Sequence, residues 1–176
     1  STLNQTGMLG ATLQMSAHGL VAGALFLLIG LLYERTHTRE IADYGSLAQT
    51  APRFAVFTTL ALLAAMGLPG TAGFVAELHA LIGGFERWGW WALGLSLGVL
   101  VSAAYALRTL GRLSTGPVSP RMRDVADMRG IELAAAGLLG FGVIALGLHP
   151  SPALRMIDAS VANLIAPKPP ANPLEE

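Results

Sequence analysis

The sequence contains no cysteine and a single lysine. Without thiols it can form no disulfide and offers no thiolate to a zinc or iron–sulfur site. The lone Lys168 sits near the C-terminal end, so no ammonium group falls inside the apolar stretches. Charge of either sign is scarce. Only 12% of the 176 residues are charged, about half of the roughly 25% usual in soluble domains, which argues for lipid as the solvent. Eleven basic residues balance eleven acidic ones, so the even charge gives no support for a nucleic-acid partner. A glycine-rich phosphate loop, an HExxH helix, a nucleophile elbow and a cluster of metal ligands are all missing, and no flavin, haem or quinone pocket is suggested. The opening STLNQTGMLGATLQMS has neither a basic region nor a small-residue cleavage site, so no signal peptide is expected. It also lacks an initiator Met, and a fragment or one half of a longer protein is expected.

What the chain has in quantity is apolar length. Hydrophobic residues make up 53% of it, and the mean hydropathy is +0.56. Spanning a hydrocarbon core of roughly 30 Å takes about 20 helical residues. Runs at 7–33, 88–110 and 131–149 meet that length, the first closed by the charged string ERTHTRE and the last by His149 and Pro150. The stretch 54–86 is too long for one straight helix and too short for two spans with a turn. Pro69 has no backbone N–H and clashes with the preceding turn, so it predicts a break near 68–71 at Pro69-Gly70, between half-helices of about 54–67 and 73–86. The fold class is therefore all-α: a polytopic transmembrane bundle with one discontinuous helix.

Basic residues test the single crossing. With 54–86 crossing once, Arg35, Arg39, Arg53, Arg108, Arg112, Arg121, Arg123 and Arg129 share one side, against Arg87, Arg155 and Lys168 on the other. That asymmetry satisfies the positive-inside rule and collapses if the stretch crosses twice. It places the basic loops in the cytoplasm and both ends of this chain on the outer face. Gly23 and Gly30, Gly94 and Gly98, and Gly137 with Gly140 are the expected close-packing positions between helices. After Pro150, the residues Leu154, Ile157, Val161, Leu164 and Ile165 share a helical face, which predicts an interfacial amphipathic helix over 150–166. The Pro-rich tail 167–176 is expected to be disordered.

Glu77 is the one acid deep within the apolar segments, eight residues after Pro69. A charge near a bilayer centre costs about 2.5–3.5 kcal/mol even on lenient scales, so such residues mark ion or proton routes. The competing reading is a structural acid, protonated or paired in a helix interface. His18 lies mid-span in the first run with Gln14 one turn earlier on the same face. Two readings stand for it: a proton relay working near neutral pH, or a neutral imidazole making one interhelical hydrogen bond. His79, two residues from Glu77, extends the polar path or lines another interface. Glu34, Arg35, His37 and Arg39 cluster at the basic membrane edge, where a solvated cap and topology anchor is the plainer account and a functional cluster the other. Arg108, Trp88, Trp90 and Trp91 suit snorkelling and aromatic-belt roles.

The string QMSAHGLVAGALFLLIGLLYERTHTREIADYGSL, followed by GLPGTAGFVAELHALIGGF, resembles the subunit M family of bacterial NADH:quinone oxidoreductase, the counterpart of mitochondrial chain 4. The likeness runs from about Gly7 to Arg112 and more weakly beyond. Related chains occur in multisubunit cation/proton antiporters and in membrane-bound hydrogenases. The resemblance implies the C-terminal portion of an antiporter-like subunit built from two inverted repeats, each with a broken helix near the midplane. It implies that Glu77, the acid of GFVAE, ends a proton half-channel and that His18 of AHGL belongs to a central polar axis. It further implies a bacterial inner-membrane location and a proton-translocating role in respiratory complex I. NADH, FMN, iron–sulfur clusters and quinone would be held by partner subunits and no cofactor by this chain. The partners would be neighbouring antiporter-like subunits, the missing N-terminal portion and the lipid bilayer. The other classes are a cation/proton antiporter or membrane-bound hydrogenase subunit, and a non-conducting structural subunit.

Overall fold

The computed structural model describes residues 4–165, so the tail 167–176 and Lys168 lie outside the described residues. Seven helices follow one another: α1 (Gln5–Thr36), α2 (Leu47–Thr50), α3 (Pro52–Ala65), α4 (Ala72–Trp88), α5 (Leu93–Ser114), α6 (Gly130–Leu148) and α7 (Ser151–Ile165). Among the described residues there is no strand, so the all-α class holds. Helices α1 and α6 are each long and apolar enough to cross a membrane, and Ala72–Ala92 with Ser96–Ser114 qualifies as a bent pair. Helix α3 is a shorter apolar element.

Side-chain bonds fix which helix ends lie together. At one end Arg35 of α1 meets Glu132 of α6, and the backbone N–H groups of Arg53 and Phe54 donate to Asp127 at 3.0 and 3.2 Å. Asp127 thus caps α3, whose Pro52 occupies the first turn where no N–H is needed. At the other end Asn4 caps α1 by accepting from Gly7, and its amide donates to the Gly83 carbonyl and to Glu86, both on α4. Gln5 bonds Asp158 of α7 at this same end. Helices α3 and α4 together therefore run from one end of the bundle to the other.

Between them the chain is non-helical over 66–71, wider than the expected break. Pro69 is only part of the cause. Helix α3 closes in a Schellman cap: Gly67 takes φ +74°, its N–H reaches the Ala64 carbonyl at 3.2 Å, and Leu68 N–H reaches Leu63 at 3.0 Å. That cap stops α3 at Ala65, two residues short of the expected 67, and Pro69 follows where it cannot restart a helix. Thr71 turns the chain into α4, its hydroxyl donating to the Leu68 carbonyl at 2.7 Å.

Two other expectations are corrected. The span expected over 88–110 begins at Leu93, because α4 runs to Trp88 and Gly89, at φ +59°, ends it into a short 3-10 turn. The chain bends by 102° between Ala72–Ala92 and Ser96–Ser114. The packing glycines differ too: a Cβ on Gly30, Gly94, Gly98 or Gly137 would meet nothing, whereas Gly140 packs against Leu60 and Phe57 and Gly23 reaches Leu139 at 4.0 Å. Backbone contact falls instead at Gly10 and Gly83, which join α1 to α4, and at Gly147, which seats α6 against Gly70 and Thr71. Periodicity could propose small residues, but only the helix rotations select among them. The apolar side of α7 rests on the bundle: Val161 is buried and Leu154 and Ile157 are half-buried, while Leu164 and Met156 stay exposed.

Candidate functional site: a cleft at the helix break

The break opens on a cleft of about 300 Å³. Helix α1 lends Gln14 and His18, α4 lends Glu77, and α5 lends Tyr105. Ala17, Ala64, Ala65 and Gly73 form the walls, and their small size leaves the space open. Glu77 is half-buried and His18 exposed, and the buried Oε1 of Gln14 has no hydrogen-bond partner among the described residues. The cleft is large and polar enough to hold water between these groups. Such an arrangement can pass a proton between a carboxyl, an imidazole and water.

Glu77 reaches back along α4 toward its N-terminal end, as long side chains on helices do. Its carboxyl lies against Gly67, at the capped end of α3. The structure therefore brings together Glu77, His18 and Gln14, with Gly67 of the break against the Glu77 carboxyl, while Pro69 and Gly70 do not line the cleft. Tyr105 joins them without having been singled out from the sequence. Its signal was a phenol amid the small and apolar residues VSAAYAL of a span.

His79 is elsewhere. Its Nδ1 lies 2.7 Å from the Val75 carbonyl one turn back on its own helix, and it does not line the cleft.

The edge cluster divides. Arg35 Nη2 contacts both oxygens of Glu132, at 2.6 and 2.9 Å, while its other nitrogens donate to the carbonyls of Ala126 and Leu31 at 2.9 Å. The guanidinium also lies 5.2 Å above the Phe54 ring. This is a latch between α1, α6 and α3 more than a solvated anchor. Glu132, the third residue of α6, favours that helix's N-terminal dipole as well. An acid in the first turn of an apolar run was the visible sign of it. Arg39 stacks on Tyr33 at 4.6 Å, His37 ends α1 at φ 52° with its N–H on the Tyr33 carbonyl, and Glu34 is exposed.

Comparison with known proteins adds to this geometry. A family model described as NADH:quinone oxidoreductase/Mrp antiporter, TM, matches residues 1–102. NADH-quinone oxidoreductase subunit M of Rhodobacter capsulatus is 42% identical over 163 residues, covering 92% of this chain and 32% of that protein. NADH-ubiquinone oxidoreductase chain 4 of Arabidopsis thaliana is 37% identical over 165 residues, covering 93% and 33%. A chain in the structure of respiratory complex I from Thermus thermophilus with bound NADH superposes with a TM-score of 0.82 at 34% identity, over 94% of this chain and 36% of that one. A chain of the Mrp complex from Dietzia sp. DQ12-45-1b, at 21% identity and a TM-score of 0.78 over 94% of this chain and 39% of that one, shows a shared fold. The chain spans about a third of the length of the curated relatives it matches. A polar cleft at a helix break, in a multi-pass membrane bundle so matched, leads to one conclusion: the chain belongs to the NADH:quinone oxidoreductase/Mrp antiporter transmembrane family.

Proposed function

We propose that this chain is the C-terminal portion of a proton-translocating membrane subunit of a respiratory NADH:quinone oxidoreductase. The carrying observation is the placement of the Glu77 carboxyl, at a helix break and facing a cleft that also holds His18, Gln14 and Tyr105. In this reading four crossings, with α3 and α4 sharing one, set Glu77 near the middle of the membrane. Glu77 takes up a proton, and His18 and water in the cleft pass it onward. Charge movement elsewhere in the complex shifts whether Glu77 holds its proton. Moving one charge against 100 mV costs about 2.3 kcal/mol, equivalent to a factor of about 50 in proton occupancy. No redox step occurs in this chain; NADH, FMN, iron–sulfur clusters and quinone belong to partner subunits. The basic loops face the cytoplasm, and the neighbours are other antiporter-like subunits with the N-terminal portion of the same subunit.

Glu77→Gln tests the role directly. In membrane vesicles holding the assembled complex it should remove most NADH-driven proton pumping, and pumping at the normal ratio of protons to electrons would refute the reading. Glu77→Asp should keep more activity, because the carboxyl survives with a shorter reach. Sidedness is tested by cysteines at exposed Thr115 and Ser151 with a membrane-impermeant reagent. Labelling from outside is expected at Ser151 alone. Mrp-type antiport is the competing activity, because the matching family model covers both groups of proteins. Co-purification of flavin and iron–sulfur clusters with the chain would separate the two.

A further inference from the structure

We propose that Gly67 is a positioning residue for Glu77: its missing side chain is the seat of the carboxyl, so the cap of α3 sets where the proton is held. The proposal deepens the translocation reading and rests on it. A Cβ built on Gly67 would overlap Oε2 of Glu77 and stand 3.1 Å from its Cδ and 3.5 Å from Oε1. The carboxyl therefore occupies the place any larger residue would fill. Two further features hold that seat in register. The Schellman bonds of Gly67 and Leu68 to Ala64 and Leu63 fix Gly67 at the end of α3. Gly73, one turn before Glu77 on the same face of α4, lies so near α3 that a Cβ there would be 2.9 Å from the Ala64 carbonyl oxygen and 3.8 Å from the Gly67 Cα. Neither of the two ion pairs among the described residues involves Glu77. Its location is a matter of packing, and a small shift of α3 against α4 would move it.

Gly70 supplies the control. It too has a left-handed backbone, at φ +91°, but a Cβ there meets only Leu148 Cδ2 at an ordinary 3.7 Å. Backbone strain is thus common to both glycines, and collision with the carboxyl belongs to Gly67 alone. Misplacing a reacting group by about 1 Å can cost around a hundredfold, so Gly67→Ala should lower pumping about tenfold or more, and Gly70→Ala clearly less. Asp is one methylene shorter than Glu, so Gly67→Ala/Glu77→Asp should pump better than Gly67→Ala alone.

The complete complex in vesicles would be assayed for pumping. It would also be treated with an apolar carbodiimide, with mass spectrometry following the modification of residue 77. Gly67→Ala should change that modification rate and Gly70→Ala should not. Equal losses in the two glycine variants, or no gain in the double variant, would overturn the proposal. If Gly67→Ala does not assemble, recovery of assembly in Gly67→Ala/Glu77→Ala supports the seat, and failure of both overturns it. The carbodiimide rate does not depend on turnover. Normal pumping in Glu77→Gln would therefore refute the translocation reading while the rate still decides the seat.

Discussion

The two charged regions of this bundle differ in what their charges do. At the basic end several charges are held by partners. Arg35 grips Glu132, Arg121 reaches Asp43 at 3.0 Å, Asp127 caps α3, and the Arg53 guanidinium donates to the Met128 carbonyl at 2.9 Å. At the helix break, Glu77, His18 and Gln14 share a roomy cleft, and neither ion pair among the described residues reaches it. A charge held by partners stabilises one arrangement. A titratable group beside space for water is free to change its state. Position along the helix therefore says less about an acid's role than the presence or absence of its partner.

Four experiments would break or sharpen that contrast. The largest expected effect is a double dissociation between the two acids. Glu77→Gln should remove most pumping while leaving the amount of assembled complex unchanged. Glu132→Gln should do the reverse, reducing assembly or thermal stability while each assembled complex pumps normally. Loss of pumping per complex in Glu132→Gln, measured against complex abundance on native gels, would erase the distinction.

Next comes the latch. Arg35→Leu leaves Glu132 partly buried without its cation, which should cost about 1–3 kcal/mol. Arg35→Leu/Glu132→Leu should recover part of that loss, read as a higher thermal midpoint of the complex than in Arg35→Leu alone. No recovery would mean that the pair is not coupled.

A smaller effect is expected at His18. His18→Ala should slow coupled turnover partially, since water can bridge a gap in a hydrated cleft, with assembly intact. Complete loss of the complex would instead make His18 a structural residue. The smallest effect belongs to His79→Ala, whose ring is tied to its own helix outside the cleft. Turnover close to wild type is expected, and a loss as large as that of His18→Ala would put His79 on the proton path.

Much of the architecture was legible before any coordinates. The lengths of the apolar runs, the interruption at Pro69 and the lone mid-span acid follow from the chemistry of single residues: side chains suited to lipid, a ring without an N–H, a carboxyl that is costly in hydrocarbon. Periodicity within one helix also put Gln14 on the face of His18, because residues four apart lie one above the other. These are local properties, and a local string carries them.

The rest required the fold. Glu132 as the partner of Arg35, 97 positions away, and Asp127 as the cap of α3, 73 positions from Phe54, depend on which helix ends meet. Tyr105 reaches the cleft only because of how α5 lies against α3 and α4. Gly67 and Gly147 proved to be contact points where Gly30, Gly94 and Gly98 did not, since glycines in a string look alike until a neighbour's backbone or carboxyl arrives. By itself the sequence determined which stretches are long and apolar, that one of them must break near Pro69, and that an acid sits beyond the break. Tertiary structure alone decided which charges are partnered and which acid faces open space, because partnership is a distance between distant residues and no local pattern encodes it.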